Sequence, residues 1–172
     1  MEIKNESGIM EKQEEVMRPF VHLHNHTAYS LLDGASKISE MIERAKELNQ
    51  PALAITDHGV MYGVVDFYKA CKKAGVKPII GCEVYVAPRT RFDKQAGMDD
   101  SAYHLVLLVK NEQGYRNLSR LESLASLDGF YYKPRVDREI LEQYHEGLIA
   151  LSGCLAGEVA QKILQEDLDG AR

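Results

Sequence analysis

The stretch Phe20–Gly34, FVHLHNHTAYSLLDG, carries three histidines at alternate positions, His22, His24 and His26. This alternation predicts a β-strand at Phe20–His24, in which side chains two residues apart point to the same face. Two or three imidazole rings would then face one small volume, and imidazole is a common ligand of zinc, manganese and iron. For an H-x-H pair alone, the alternative is a strand with polar residues on its solvent face, since histidine is ordinary at protein surfaces.

The chain has 172 residues and a formal net charge of −5. This length supports one domain with its own core and is below the roughly 250 residues of a typical eight-unit α/β barrel. No apolar run approaches the roughly 20 residues of a membrane span, and the charged amino terminus lacks the apolar core of a signal peptide. We therefore expect a cytoplasmic protein without a membrane partner, in which any DNA contact rests on local basic patches.

Strand and helix patterns alternate along the chain after a polar segment, residues 1–18, which we expect to be a flexible extension. Apolar runs and helical spacings predict five strands, at 20–24, 52–56, 76–87, 104–109 and 147–154, and five helices, at 38–48, 64–74, 117–127, 137–144 and 158–164. Repeated strand-helix units with short connections predict an α/β fold with parallel strands and right-handed crossovers.

Possible metal ligands lie at or near the ends of these strands. In α/β folds functional groups gather at the carboxyl ends of parallel strands. The residues so placed are His24, His26, Asp33, His58, Glu83 and Cys154. A mixed set of nitrogen and oxygen ligands favours Zn, Mn or Fe over Mg or Ca. More than four ligands imply more than one ion, and clustered ions serve phosphoryl chemistry by generating hydroxide and by clamping the attacking and leaving oxygens.

Six segments, HLHNHTAYSLLDG, ITDHG, GCEVYV, HLVLLVKN, FYYKPRVD and LSGCLAGE, carry a family resemblance from about Pro19 to the end of the chain. In this order and at these spacings they closely resemble the PHP (polymerase and histidinol phosphatase) domain, in the branch found at the amino terminus of bacterial replicative DNA polymerase III alpha subunits. The resemblance implies a PHP domain at 19–172 with a distorted (β/α)7 barrel, of which about five strand-helix units are present. It also implies up to three divalent transition metal ions, Zn, Mn or Fe.

The resemblance also implies a role for individual residues. The implied metal ligands are His24, His26, Asp33, His58, a bridging Glu83, His104, Cys154 and, as a further candidate, Glu158. His22 and Asp57 would support the ligands without binding metal. His104 begins its predicted strand, whereas barrel ligands lie at strand ends, so the motif and the predicted strand direction disagree.

The family pattern has a final D-x-H motif beyond Cys154, and no D-x-H follows that residue here. We therefore expect a domain that is incomplete at its carboxyl end, with little or no exonuclease activity from these residues alone. The resemblance implies a metal-dependent phosphoesterase site in a DNA-directed DNA polymerase, with 3′–5′ exonuclease proofreading, and with DNA and other replicase subunits as partners. Two alternatives stay open: a free-standing PHP phosphatase of small phosphomonoesters, which SLLDG and FYYKPRVD disfavour, and a metal-stabilised scaffold without hydrolysis.

Several basic and cysteine residues have simpler interpretations. Lys133 and Arg135, beside two tyrosines, combine cations and aromatic faces as single-strand binding sites do, or the tyrosines pack their loop against the domain. Two further groups of basic residues are predicted to be solvated. One lies at a helix end, Lys72, Lys73 and Lys77, and the other in a loop, Arg89, Arg91 and Lys94. Cys71 is predicted to lie in the core, and Cys82 to point away from the metals.

Overall fold

The computed structural model of the protein describes residues 20–31 and 33–172, so the predicted extension at 1–18 lies outside the described residues. The strands are β1 (Ala52–Ile55), β2 (Lys77–Val86), β3 (Tyr103–Val109), β4 (Arg135–Val136) and β5 (Leu148–Leu151). The helices are α1 (Ile38–Glu47), α2 (Val64–Ala74), α3 (Glu112–Leu127), α4 (Arg138–Tyr144) and α5 (Glu158–Leu164). Within this part of the chain, no helix is long and apolar enough to cross a membrane.

The sheet is mixed, with the strand order β1-β2-β3-β5 and with β4 paired to the end of β2. β1 and β4 run parallel to β2, whereas β3 runs antiparallel to both β2 and β5. The prediction of uniformly parallel strands is therefore wrong. The connection between β2 and β3, residues 87–102, contains no helix, and the two strands pair directly as antiparallel neighbours.

The predicted first strand at Phe20–His24 is not a regular strand, although the chain there runs beside β1. Ala54 N donates to His22 O at 3.1 Å, and Thr56 N donates to Asn25 O at 3.0 Å. Side chains supply the other bonds: Asn25 N donates to Thr56 Oγ1, and Asn25 Nδ2 donates to Ala54 O. Side chains thus supply part of the hydrogen bonding beside β1, and residues 20–24 form no regular strand.

Alternate residues of β2 divide the core from the opposite face of the sheet. Cys82 and Val84 are buried and pack with apolar residues of α3. Cys71 of α2 is buried in a second cluster with residues of α1, α2 and β1, so it is a core residue as predicted. Glu83 and Tyr85, one position out of phase, point to the other face of the sheet.

The segment 87–102 is tied down by buried arginines. The Arg135 side chain is 1% exposed, and its guanidinium donates to the carbonyl oxygens of Gly129, Asp99, Arg91 and Asp93. Arg91 is 8% exposed and donates to both carboxylate oxygens of Asp137 at 3.1 Å. These contacts correct two predictions, because Arg91 is not solvated and Arg135 is occupied in the interior, where nucleic acid does not reach it.

Candidate metal centre

Strand pairing sets three predicted ligands side by side. His58 forms a parallel bridge with Glu83, and Tyr85 pairs with His104 across the antiparallel β2–β3 ladder. Residues that pair across strands share a face, so all four side chains lie on the side of the sheet opposite Cys82. Because β3 is antiparallel, its first residues lie beside the carboxyl end of β2, and His104 reaches the site from the start of its strand.

Glu83 lies at the centre of four imidazole rings and is 1% exposed. Its Oε2 contacts His24 Nε2 and lies 3.1 Å from His26 Nε2 and 3.6 Å from His58 Nδ1. Its Oε1 lies 2.8 Å from His104 Nδ1. A buried carboxylate is thus surrounded by nitrogen donors from the histidine segment, the end of β1 and the start of β3.

Asp33 and Cys154 lie at the edge of this cluster. Asp33 Oδ2 is 2.8 Å from His58 Nε2. Cys154 is exposed, and its Sγ is 3.7 Å from His104 Nδ1 and 3.8 Å from Glu83 Oε1. The structure therefore brings Asp33 and Cys154 close to the four histidines and Glu83.

Two other predicted residues lie apart from the cluster. The Glu158 carboxylate accepts a hydrogen bond from Arg138 Nη2 at 2.5 Å, and its role as a further ligand stays a prediction. The exposed His22 ring packs edge-on against Phe20, with ring centroids 4.9 Å apart. His22 contributes through its backbone, since its carbonyl accepts the hydrogen bond from Ala54 N.

A buried hydrogen-bond network holds the ligands from behind. Asp57 accepts bonds from Thr27 N at 2.6 Å, from Thr27 Oγ1 at 2.8 Å and from Ser30 Oγ at 3.1 Å. Ser30 Oγ in turn lies 3.4 Å from His26 Nδ1 and accepts a bond from His58 N at 3.0 Å. Asp57 thus fixes the loop that carries His26, and Ser30 links that loop to His58.

Sequence reasoning missed Ser30 and Tyr85 as parts of the site. The signal for Ser30 was its position between His26 and Asp33 in the motif, and the signal for Tyr85 was its spacing of two from Glu83 on one strand. The Tyr85 ring stacks on His58 at 5.9 Å between centroids. Gly59 makes this packing possible, because its φ is +58° and a Cβ there would lie 2.9 Å from the Tyr85 ring.

The charges of the cluster suit cation binding. Burial opposes ionisation of Glu83, but hydrogen bonds from His104, His26 and His24 outweigh burial and hold the pKa of its carboxyl below the ordinary value. The hydrogen bond to Glu83 raises the pKa of His26, whereas burial lowers the pKa of His58. Glu83 is therefore an anion and His58 is favoured as neutral imidazole, which are the protonation states that bind metal.

The donor atoms form two groups with Glu83 in common: His24, His26 and Glu83 in one, and His58, Glu83 and His104 in the other. Within each group, one donor atom per residue lies within 4.8 Å of the others. His58 Nδ1 is buried and has no hydrogen-bond partner among the described residues, as expected of a nitrogen whose electron pair faces a cation. Imidazole and carboxylate donors in this arrangement fit metal binding, with Glu83 common to both donor groups.

The α/β fold and the histidine-carboxylate cluster are those of a PHP domain. Residues 22–172 match the PHP domain family, and the chain belongs to this family. The prediction of a PHP-type α/β domain is confirmed.

The relatives identified by sequence are DNA polymerase subunits. The chain is 55% identical over 154 residues to DNA polymerase III subunit alpha of Thermus aquaticus, covering 87% of this chain and 13% of the relative. It is 56% identical over 147 residues to the subunit of the same name in Treponema pallidum, covering 85% of this chain and 13% of the relative. It is 48% identical over 163 residues to the subunit of the same name in Deinococcus radiodurans, covering 90% of this chain and 12% of the relative. The chain thus spans 12–13% of the length of these relatives.

Cys154 provides a direct test of thiolate ligation. We expect alkylation of Cys154 to be slow in the metal-loaded protein and fast after chelation, because metal binding engages the thiolate that would attack the reagent. The measurement is the rate of iodoacetamide labelling by mass spectrometry. Buried Cys71 and Cys82 are internal controls, and a Cys154→Ser variant should stay unlabelled. Equal rates with and without chelator would contradict ligation by Cys154.

Proposed function

We propose that this chain is the PHP domain of a bacterial replicative DNA polymerase III alpha subunit and that it carries a metal-dependent phosphoesterase site. The observation that carries the proposal is the buried Glu83 carboxylate, which is common to two donor groups supplied by four imidazoles. The identities to DNA polymerase III alpha subunits favour a polymerase domain over a free-standing phosphatase. The partners are then DNA and other replicase subunits, and the location is the cytoplasm.

The proposed reaction is hydrolysis of a phosphodiester at a 3′ end, as in 3′–5′ proofreading. His24 and His26 would hold one ion and His58 and His104 the other, with Glu83 between them. Two such ions supply hydroxide at neutral pH and stabilise charge on the attacking and leaving oxygens. The remaining work of this chain is positioning, because Ser30 and its partners fix the rings of the ligands before substrate arrives.

The proposal is tested by measuring metal content and nucleotide release on the same samples of the full-length polymerase. We expect Zn, Mn or Fe in the wild-type protein, and loss of most of that metal in the double variant His24→Ala/His58→Ala. Release of 3′ nucleotides from single-stranded DNA should fall by at least about a hundredfold, because the metals generate the nucleophile.

The matched control is His145→Ala, which removes an exposed histidine at the end of α4 and should change neither quantity. Metal retention in the double variant would contradict the site. Metal that is bound without any nucleotide release by the wild-type protein would favour the scaffold function over hydrolysis.

A further inference from the structure

A cleft of about 570 Å³ opens directly beside the metal cluster. Its lining includes His58 and His104 of the cluster and, beside them, Tyr62, Phe130 and Lys133. Lys133 is the only lysine or arginine among the described residues that line the cleft. A single side-chain cation thus shares a cavity with the metal ligands, and the cavity has a size typical for small-molecule sites.

Lys133 directly follows a strained backbone turn. Tyr131 and Lys133 form a one-residue antiparallel bridge, in which Tyr131 N donates to Lys133 O at 3.0 Å. The turn between them places Tyr132 at φ +58°, a left-handed conformation that is unfavourable for a bulky residue. Strain of this kind persists where the surrounding structure fixes one arrangement, and here it marks a defined backbone turn directly before Lys133.

The ammonium group of Lys133 points towards the metal side of the cleft. Its Nζ lies 5.4 Å from the centroid of the Tyr85 ring, within cation–π range. The same ring stacks on His58 and meets His104 edge-on at 5.1 Å. The Tyr85 ring therefore lies next to Lys133 and next to two of the metal ligands, His58 and His104.

Several other residues that line the cleft are aromatic and open to solvent. The Tyr62 residue is 72% exposed and Phe130 is 55% exposed, although both are large apolar groups. Tyr29 also lines the cleft and packs against Gly63, where a Cβ would come within 2.7 Å of the Tyr29 ring. Exposed rings beside a cationic group are the elements with which proteins hold unpaired nucleotides, since every base offers a face for stacking.

We propose that this cleft binds the terminal nucleotide of a single strand, with Lys133 on a phosphate and Tyr62 stacking on the base. The inference rests on the proposed function for its reaction and its substrate class, and it adds two residues that determine specificity. Lys133 would add a positive charge for the phosphate beside that of the metal ions. Tyr62 distinguishes a nucleotide from a phosphate ester without a base.

The experiment is calorimetric titration of the metal-loaded full-length polymerase with dAMP and, separately, with inorganic phosphate. The variants are Lys133→Ala, Lys133→Arg and Tyr62→Ala. Two controls remove exposed side chains outside the cleft, Lys94→Ala and Tyr68→Ala. Metal content is measured on every sample, so that a change in Kd is not confused with metal loss.

Lys133→Ala should weaken both probes about tenfold or more, because a charge-assisted hydrogen bond to phosphate is lost. Lys133→Arg should retain most of the affinity, since it keeps the charge. Tyr62→Ala should weaken dAMP about fivefold or more and leave inorganic phosphate unchanged, because only the base is stacked. Both controls should bind as the wild type does.

Three results would overturn the inference: no binding of dAMP by the wild-type protein, an unchanged Kd for phosphate in Lys133→Ala, or equal effects of Tyr62→Ala on both probes. These readouts are independent of hydrolysis. The expected binding pattern without nucleotide release would leave the cleft assignment standing and reject the phosphoesterase. Nucleotide release without this binding pattern would support the phosphoesterase and reject the cleft assignment.

Discussion

Replacement of Glu83 by Gln is expected to abolish binding of transition metal at both donor groups, although the change is nearly isosteric. Glu83 is common to the two groups, and its two oxygens face different histidines. A neutral amide offers one oxygen and one NH2, so it can neither bridge two cations nor balance their charge. The measurement is metal per protein by elemental analysis after gentle purification.

Single histidine variants give this prediction its internal control. His24 belongs to one donor group and His104 to the other, so His24→Ala and His104→Ala should each lose a different part of the metal that Glu83→Gln loses entirely. Stoichiometry thereby separates a bridging carboxylate from an ordinary ligand. If Glu83→Gln kept half of the metal, or if either histidine variant lost all of it, the shared position of Glu83 would be wrong.

The metal centre was more predictable from sequence than the sheet that carries it. The H-x-H pair, the ITDHG segment and the carboxylate of GCEVYV are short local patterns, and the structure brings His24, His26, His58 and Glu83 together. Strand direction depends instead on the path of a connection. Nothing in the composition of residues 88–102 shows that it returns the chain antiparallel, and with that direction unknown the position of His104 looked inconsistent.

The burial of charged side chains was the second feature that could not be predicted from the sequence. Arg135 and Lys133 stand two residues apart in FYYKPRVD and have the same charge, yet Arg135 is 1% exposed and Lys133 is exposed. The difference arises because Arg135 satisfies the carbonyl oxygens of a loop 36 to 44 residues earlier in the chain and of Gly129. Such long-range acceptors leave no local periodicity, and so a structural arginine looks like a surface one.

The strand predicted at Phe20–His24 failed for a related reason. Alternation of histidines is compatible with a strand, but Asn25 and Thr56 take backbone hydrogen-bonding positions with their side chains. Asn and Thr commonly compete with backbone ladders in this way. The predicted convergence of His24 and His26 nevertheless holds, because both rings contact the same oxygen of Glu83.

Glu122 carries the second large prediction, which concerns stability and pH on the other face of the sheet. Glu122 lies on α3, where its carboxylate faces the thiol of Cys82 at 3.3 Å. Burial raises the pKa of Glu122 to about 7, against an opposing contribution from the Cys82 hydrogen bond. Between the unfolded pKa and about pH 7, the folded protein therefore holds a proton on Glu122 that the unfolded chain has released.

This linkage lowers stability as pH rises. Below the unfolded pKa, near 4.5, Glu122 is protonated in both states and costs nothing; between 4.5 and about 7 only the folded state keeps the proton, so the free energy of unfolding falls. Above pH 7 the full cost, about 3 kcal/mol, is present. Glu122→Gln removes the titration and can still accept from the Cys82 thiol. Its unfolding free energy should exceed that of the wild type by about 1 kcal/mol at pH 5 and by about 3 kcal/mol at pH 8.

Urea unfolding of both proteins from pH 4 to pH 8, with chelator present to exclude metal linkage, measures this difference. Glu43→Gln, at an exposed position on α1, is the control and should follow the wild type at every pH. The comparison of variants cancels the contribution of Glu83, whose lowered pKa acts with the opposite sign in acid. A constant offset between Glu122→Gln and the wild type across this range would show that Glu122 keeps an ordinary pKa in the folded state and is not desolvated beneath the sheet.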